Sequence, residues 1–192
     1  MRRMKINLLF LSFLSLIWMS CSVQKKAETS ATLSTSKVDQ LFNDAGMQYK
    51  VMMHELPAGR FPKTFDSTSG KLVTSGSDWW CSGFYPGALL YLYEQRKDTV
   101  LYHEAIRMLG LLQKEQYNTG THDLGFMMYC SFGNAYRITH DEQYKKVLLQ
   151  SARSLSTRFN PKVGCIKSWD SKPSDFLVII DNMMNLELLF WA

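Results

Sequence analysis

The order of apolar and polar positions divides the chain into helices of two alternating kinds. Residues 37–55 place Val38, Leu41, Phe42, Ala45, Tyr49 and Met52 on one stripe, the spacing of an amphipathic helix with a wet face. Pro57, Gly59 and Pro62 end it and open a loop through Gly76. Residues 84–95 differ, because Phe84, Tyr85, Ala88, Leu89, Leu90, Tyr91, Leu92 and Tyr93 point in every direction. A helix apolar all round is a buried one. Residues 99–114 return to a single stripe of Tyr102, Ala105, Ile106, Leu109 and Leu112. Residues 124–138 are again apolar all round, and 141–158 carry Tyr144, Val147, Leu148, Ala152 and Leu155 on one side. After a loop with Pro161, Gly164 and Pro173, the segment 181–192 is apolar on most sides.

One-faced helices alternating with buried ones predict two concentric layers, each outer helix leading into an inner one. The expected fold is all-α, an α/α barrel or toroid. A simple four-helix bundle would make every helix one-faced, and an α-solenoid would need a repeated motif that this chain lacks. Successive helices run antiparallel, so the inner helices are parallel and their N-termini open on one rim. Gathered there are Ser77-Asp78-Trp79-Trp80-Cys81-Ser82-Gly83, Thr121-His122-Asp123, and Trp169-Asp170 leading on to Asp181. Acids and aromatics meet at that rim, beside helix ends that suit a carboxylate-bearing ligand.

For Asp123 and Asp181 the ordinary role at a helix mouth is capping the first-turn N–H groups. Trp79 and Tyr85 read as packing residues, Asp78 and Asp170 as loop caps, and Asp175 as a turn residue. His54, His103 and His140 fall on outer or surface positions. The histidines form no ligand-spaced cluster and no C-x-x-C pair occurs, so neither a metal nor a cofactor is expected. Cys81, Cys130 and Cys165 read as small buried hydrophobes.

The N-terminus has its own pattern. Arg2, Arg3 and Lys5 precede an apolar run of about fourteen residues, short for a membrane span, that ends in Trp18-Met19-Ser20-Cys21. This resembles a bacterial lipoprotein signal over residues 1–20, with Cys21 as the lipidated residue and 21–36 as a flexible Ser/Thr/Lys-containing tether. The expected partner is then a membrane, reached through the lipid on Cys21. No acidic run follows Cys21, which favours an outer-membrane anchor facing the periplasm. Loss of the three basic residues lowers the formal charge from +5 to +2. The remaining cations are scattered without a stripe, which argues against a nucleic-acid partner.

Three stretches carry a family resemblance. Trp80-Cys81-Ser82-Gly83-Phe84-Tyr85-Pro86-Gly87, His122-Asp123-Leu124-Gly125-Phe126 and Ile179-Ile180-Asp181-Asn182-Met183-Met184-Asn185-Leu186 together resemble unsaturated glucuronyl hydrolases, glycoside hydrolase family 88. The similarity covers 38–192, within an expected domain of 37–192. It implies an (α/α)6 barrel that removes Δ4,5-unsaturated uronic acid from the non-reducing end of lyase-generated oligosaccharides of glycosaminoglycan type or similar. The family reaction hydrates the C4=C5 double bond, so carboxyl spacing does not report retention or inversion here. By position, Asp181 matches the general acid/base and Asp123 the second essential acid. Trp80 and Trp169 match aromatics of the sugar site, and His122 is a secondary contact. An unsaturated rhamnogalacturonyl hydrolase and a non-catalytic carbohydrate-binding lipoprotein are the alternatives. Because Phe190-Trp191-Ala192 falls inside an inner helix, the expectation is the first half of a barrel, inactive or poorly folded alone.

Overall fold

A computed structural model describes residues 34–192. The signal, the lipidation residue Cys21 and most of the tether lie outside the described residues. Helix α1 (Thr35–Glu55) takes up the last residues assigned to that tether. It lays Phe42, Ala45, Tyr49 and Met52 against the core, as its stripe predicts, whereas Leu41 stays 49% exposed.

The expected loop after α1 is instead a β-hairpin. Strands β1 (Phe61–Asp66) and β2 (Lys71–Ser75) pair antiparallel, with Phe61 opposite Ser75 and Asp66 opposite Lys71. The pattern hid it because Lys63, Thr64 and Phe65 are exposed in succession, leaving no period-two alternation. Phe61, fully buried, anchors the hairpin to the core. A shorter ladder, β3 (Phe159–Asn160) with β4 (Cys165–Ile166), interrupts the later loop. In β4 adjacent side chains face opposite ways, so Ile166 goes inward and Cys165 outward. Cys165 is therefore exposed and not a core residue, and Cys81 and Cys130 are only partly buried.

The other described elements are helical. They are α2 (Phe84–Arg96), α3 (Thr99–Leu112) with a 3-10 turn (Gln113–Tyr117), α4 (Leu124–Met128), α5 (Asn134–Thr139), α6 (Glu142–Ser156), α7 (Asn182–Asn185) and α8 (Glu187–Trp191). A π-helical turn, Tyr129–Gly133, joins α4 to α5 where a single helix is predicted. The two inner-to-outer reversals use the same device. Lys97 and His140 close α2 and α5 in the left-handed conformation, with φ of 55° and 54°. The next residues, Asp98 and Asp141, are extended, and their carboxylates accept the N–H of Val100 at 3.0 Å and of Gln143 at 2.8 Å. These two aspartates are true N-caps.

Between the layers, Leu89, Leu101, Met108, Leu112, Leu124, Met127 and Leu148 have no solvent exposure. Each such side chain contributes about 1.5–3 kcal/mol of burial. The outer helices α1, α3 and α6 keep one wet face, as predicted. On the inner helices Tyr91, Met183, Met184 and Phe190 also remain open to solvent, the last at 87%. No helix among the described residues is long and apolar enough to cross a membrane.

Candidate active site

Three loops, each running into an inner helix, meet around one cavity of about 590 Å³. Trp79 and Trp80 come from the loop before α2, and Thr121, His122 and Asp123 from the loop before α4. Trp169 and Asp181 come from the loop between β4 and α7. The volume is ordinary for a small-ligand cleft. A larger groove of about 720 Å³ lies along Ile166, Ile179, Met183 and Phe190, but it is apolar. Its one side-chain amide, Asn182, bonds to the Ser168 hydroxyl and the Ile166 carbonyl, and no other lining residue carries an amide, a carboxylate or a ring nitrogen.

Backbone packing sets how closely the loops approach. Gly125 in α4 lies against the carbonyl of Asn185 in α7, where a Cβ would collide with main chain. Gly83 meets the carbonyl of Met127 in the same way. Asn185 completes the first junction, its Oδ1 accepting the N–H of Phe126 at 2.8 Å. The buried Glu115 ties two of the loops together, accepting from Ser77 Oγ at 2.6 Å and Asn118 Nδ2 at 3.0 Å.

Neither Asp123 nor Asp181 caps its helix. Both already have helical backbone angles, and neither side chain accepts a first-turn N–H. The contrast with Asp98 and Asp141 decides the capping question. The two carboxylates turn toward His122 instead. The His122 side chain is 1% exposed, with Nε2 at 3.0 Å from Asp181 Oδ2 and 3.4 Å from Asp123 Oδ1. Its Nδ1 lies 2.9 Å from the Ser168 carbonyl, which can only accept, so Nδ1 carries a proton. The contact between Nε2 and Asp181 then requires one further proton, on the ring or on the carboxyl. Asp181 Oδ1 is buried without a protein partner.

Asp123 is held by Thr121, whose hydroxyl donates to Oδ2 at 3.1 Å and accepts the Asp123 N–H at 3.0 Å. Burial pushes the Asp123 carboxyl above the usual carboxylate range, against the opposing pull of His122, and Asp181 pushes it the same way. A raised folded value means that its stabilising contribution is full below the unfolded carboxylate value, near 4, and is lost as pH rises through the folded one. Asp123→Asn is therefore expected to melt higher than the parent at neutral pH, with the gap closing toward pH 4. Melting curves of both proteins across that range check it.

His122, Asp123 and Asp181 are also the group whose donor atoms come within 4.8 Å of one another among the described residues. That spacing would admit a cation, and within it Nε2 also meets Asp181 directly at 3.0 Å. Aromatic rings wall the cavity. Trp169 stands edge-on to His122 at 5.6 Å, and Trp80 packs against Phe84 at 5.7 Å and Phe126 at 6.3 Å. Trp79, read from sequence as a packing residue, also lines the cavity, with Lys63 from the hairpin 3.9 Å above its ring. Asp78 lines it too. The other three histidines are exposed and distant from this chemistry.

An unsaturated glucuronyl hydrolase of Formosa agariphila is 37% identical over 171 residues, covering 88% of this chain and 41% of that protein. A solved unsaturated glucuronyl hydrolase specific for heparin superposes with a TM-score of 0.75 at 43% identity, over 81% of this chain and 42% of the other. The chain belongs to the unsaturated glucuronyl hydrolase family. An unsaturated chondroitin disaccharide hydrolase of Streptococcus pneumoniae is more distant, 26% identical over 81% of this chain and 39% of its own length. No protein-family model matches the sequence. The chain thus spans about two-fifths of the length of these relatives, and its two helical layers are the matching part of the (α/α)6 barrel of the unsaturated glucuronyl hydrolases.

Within that barrel, sequence reasoning found the acids and the tryptophans of the rim but not the polar residues behind them. Ser168, Asn182 and Asn185 are buried and bonded across loops. Two amides inside a mostly apolar segment, 181–192, were the available signal for Asn182 and Asn185. Ser168 gave none.

Proposed function

We propose that the protein removes Δ4,5-unsaturated uronic acid from lyase-generated oligosaccharides by hydrating the C4=C5 double bond. The observation that carries this reading is the proton-sharing cluster at the cavity floor, in which Asp181 lies 3.0 Å from a buried imidazole and beside a second carboxyl. A hydratase needs one group that gives a proton and takes another back near working pH. In the first step the π electrons of C4=C5 form the new C4–H bond with the proton held between Asp181 and His122. The cation that develops at C5 is stabilised by the ring oxygen and faces the Asp123 and Asp181 carboxyls. Water then adds at C5 and yields its proton to Asp181. The resulting hemiketal opens, its ring oxygen becomes a hydroxyl on C1, and the glycosidic bond at C1 breaks. Trp80 and Trp169 offer flat apolar area to the sugar ring.

The heparin-specific and chondroitin-disaccharide relatives support a glycosaminoglycan-type substrate. The test uses protein from the complete reading frame and follows the ultraviolet absorbance of the conjugated double bond. Lyase-made glycosaminoglycan disaccharides should lose it, and pectin-derived ones should lose it more slowly. A faster reaction on the pectin products would favour a rhamnogalacturonyl hydrolase, and no loss on either would end the enzymatic reading.

We also propose that Cys21 is lipidated and holds the enzyme at the outer membrane, facing the periplasm. The signal-like run before Cys21 supports this. Cys21→Ser should then abolish incorporation of labelled fatty acid and move the protein from the membrane to the soluble fraction. Unchanged labelling would rule the anchor out.

A further inference from the structure

We propose that Arg158 is a positioning residue for the acid pair, acting through the Ser168 carbonyl and the His122 ring. It rests on the proposed reaction for its catalytic meaning, but not for its geometry. Arg158 is 8% exposed and follows α6, and its side chain reaches into the junction behind the cavity floor. Its Nε donates to the Lys167 carbonyl at 2.8 Å, and Nη2 donates to the Ser168 carbonyl at 3.2 Å. Nη1 donates to the Thr119 carbonyl at 2.7 Å and to Asp170 Oδ2 at 3.2 Å. One guanidinium thus holds both the loop that carries His122 and Asp123 and the loop that carries Trp169.

The Ser168 carbonyl is where this hold meets the chemistry. Its oxygen has two acceptor sites, and it receives both Arg158 Nη2 and His122 Nδ1. With Arg158 on one site, the other is fixed in direction, and the imidazole is oriented so that Nε2 faces Asp181. Ser168 is pinned from its other side as well, since its hydroxyl donates to Asn182 Oδ1 at 2.9 Å and accepts the Ile179 N–H at 3.0 Å. A planar fork with five donors can serve three carbonyls at once, which the ammonium of lysine, a point donor on a flexible stem, cannot do in the same geometry. Asp170, 63% exposed and also paired with Lys167 at 3.2 Å, is peripheral to the arrangement.

The test compares the parent, Arg158→Lys and Asp170→Asn, all from the complete reading frame and labelled with ¹⁵N-histidine. In the parent, the His122 ring should hold a slowly exchanging proton on Nδ1. In Arg158→Lys that resonance should be lost to exchange, while kcat falls about 10- to 100-fold and KM stays within about twofold, as displaced catalytic groups predict. Asp170→Asn should leave both readouts unchanged. A folded Arg158→Lys protein with the Nδ1 proton and kcat intact would overturn the proposal, and so would a fall in kcat without any change at Nδ1. If Arg158→Lys does not fold, the parent spectrum decides: an Nδ1 without a proton overturns the proposal, and one that is carbonyl-bonded and slow to exchange upholds it. A protein inactive on every lyase product would leave the resonance measurement valid and count only against the proposed reaction.

Discussion

Asp181→Asn is expected to slow loss of the substrate double bond by about 10²–10⁴-fold, the usual worth of a positioned proton donor and acceptor. Asparagine keeps the shape and one oxygen, but its amide cannot serve as proton donor and acceptor at working pH as a carboxyl does. The fall should appear in kcat, with KM little changed, because the side chain acts on the reacting bond more than on binding. Melting temperature should stay near that of the parent, since Asp181 makes no helix cap and the amide of asparagine can keep the contact with His122 Nε2. Ultraviolet kinetics and a thermal melt of the two proteins provide the check. Activity retained within tenfold would remove Asp181 from its role.

Gly125→Ala is expected to damage stability and rate together. The new methyl group would meet the main chain of Asn185, including its Cα at 2.6 Å, and backbone cannot rotate out of the way. Forcing α4 and α7 apart should cost about 1–3 kcal/mol, the range for overpacked sites. The same displacement separates Asp123, two residues before Gly125, from Asp181, four residues before Asn185. A misplacement of about 1 Å at reacting groups can lower a rate about 100-fold. Gly110→Ala in α3 is the matched control, because a Cβ there meets nothing within 4 Å. It should be neutral or slightly stabilising, by up to about 1 kcal/mol, with activity unchanged. Thermal melts and ultraviolet rates on both variants separate the effects of packing from those of glycine itself.

The pattern of the chain revealed what depends on side-chain period and missed what depends on backbone. The alternation of one-faced and all-round apolar helices was legible because α3 and α6 keep a wet face while α4 is buried between layers. It also put the N-termini of the inner helices on one rim, which is where Trp80, Asp123, Trp169 and Asp181 meet. The β1–β2 hairpin was not legible, since Phe65 and its neighbours are exposed on both faces and Phe61 is the one fully buried hydrophobic residue of the pair, with Leu72 only partly covered. The π-helical turn at Tyr129–Gly133 leaves no mark on the apolar pattern. Within the site, capping and chemistry predict the same residue type, and only backbone angles told Asp123 and Asp181 from the true caps Asp98 and Asp141. Arg158 and Ser168 were out of reach for a related reason. Both act on or through main-chain carbonyls, which every residue has.

In the proposed reaction, the cluster of His122, Asp123 and Asp181 delivers a proton to C4 of the unsaturated sugar. Running the reaction in D₂O and reading the product by NMR at short times tests it most directly. Delivery from a fixed group places deuterium at one of the two C4 positions in the parent, and about 10²–10⁴-fold more slowly in Asp181→Asn. Deuterium spread equally over both positions, or none at C4 while the glycosidic bond still breaks, would contradict it.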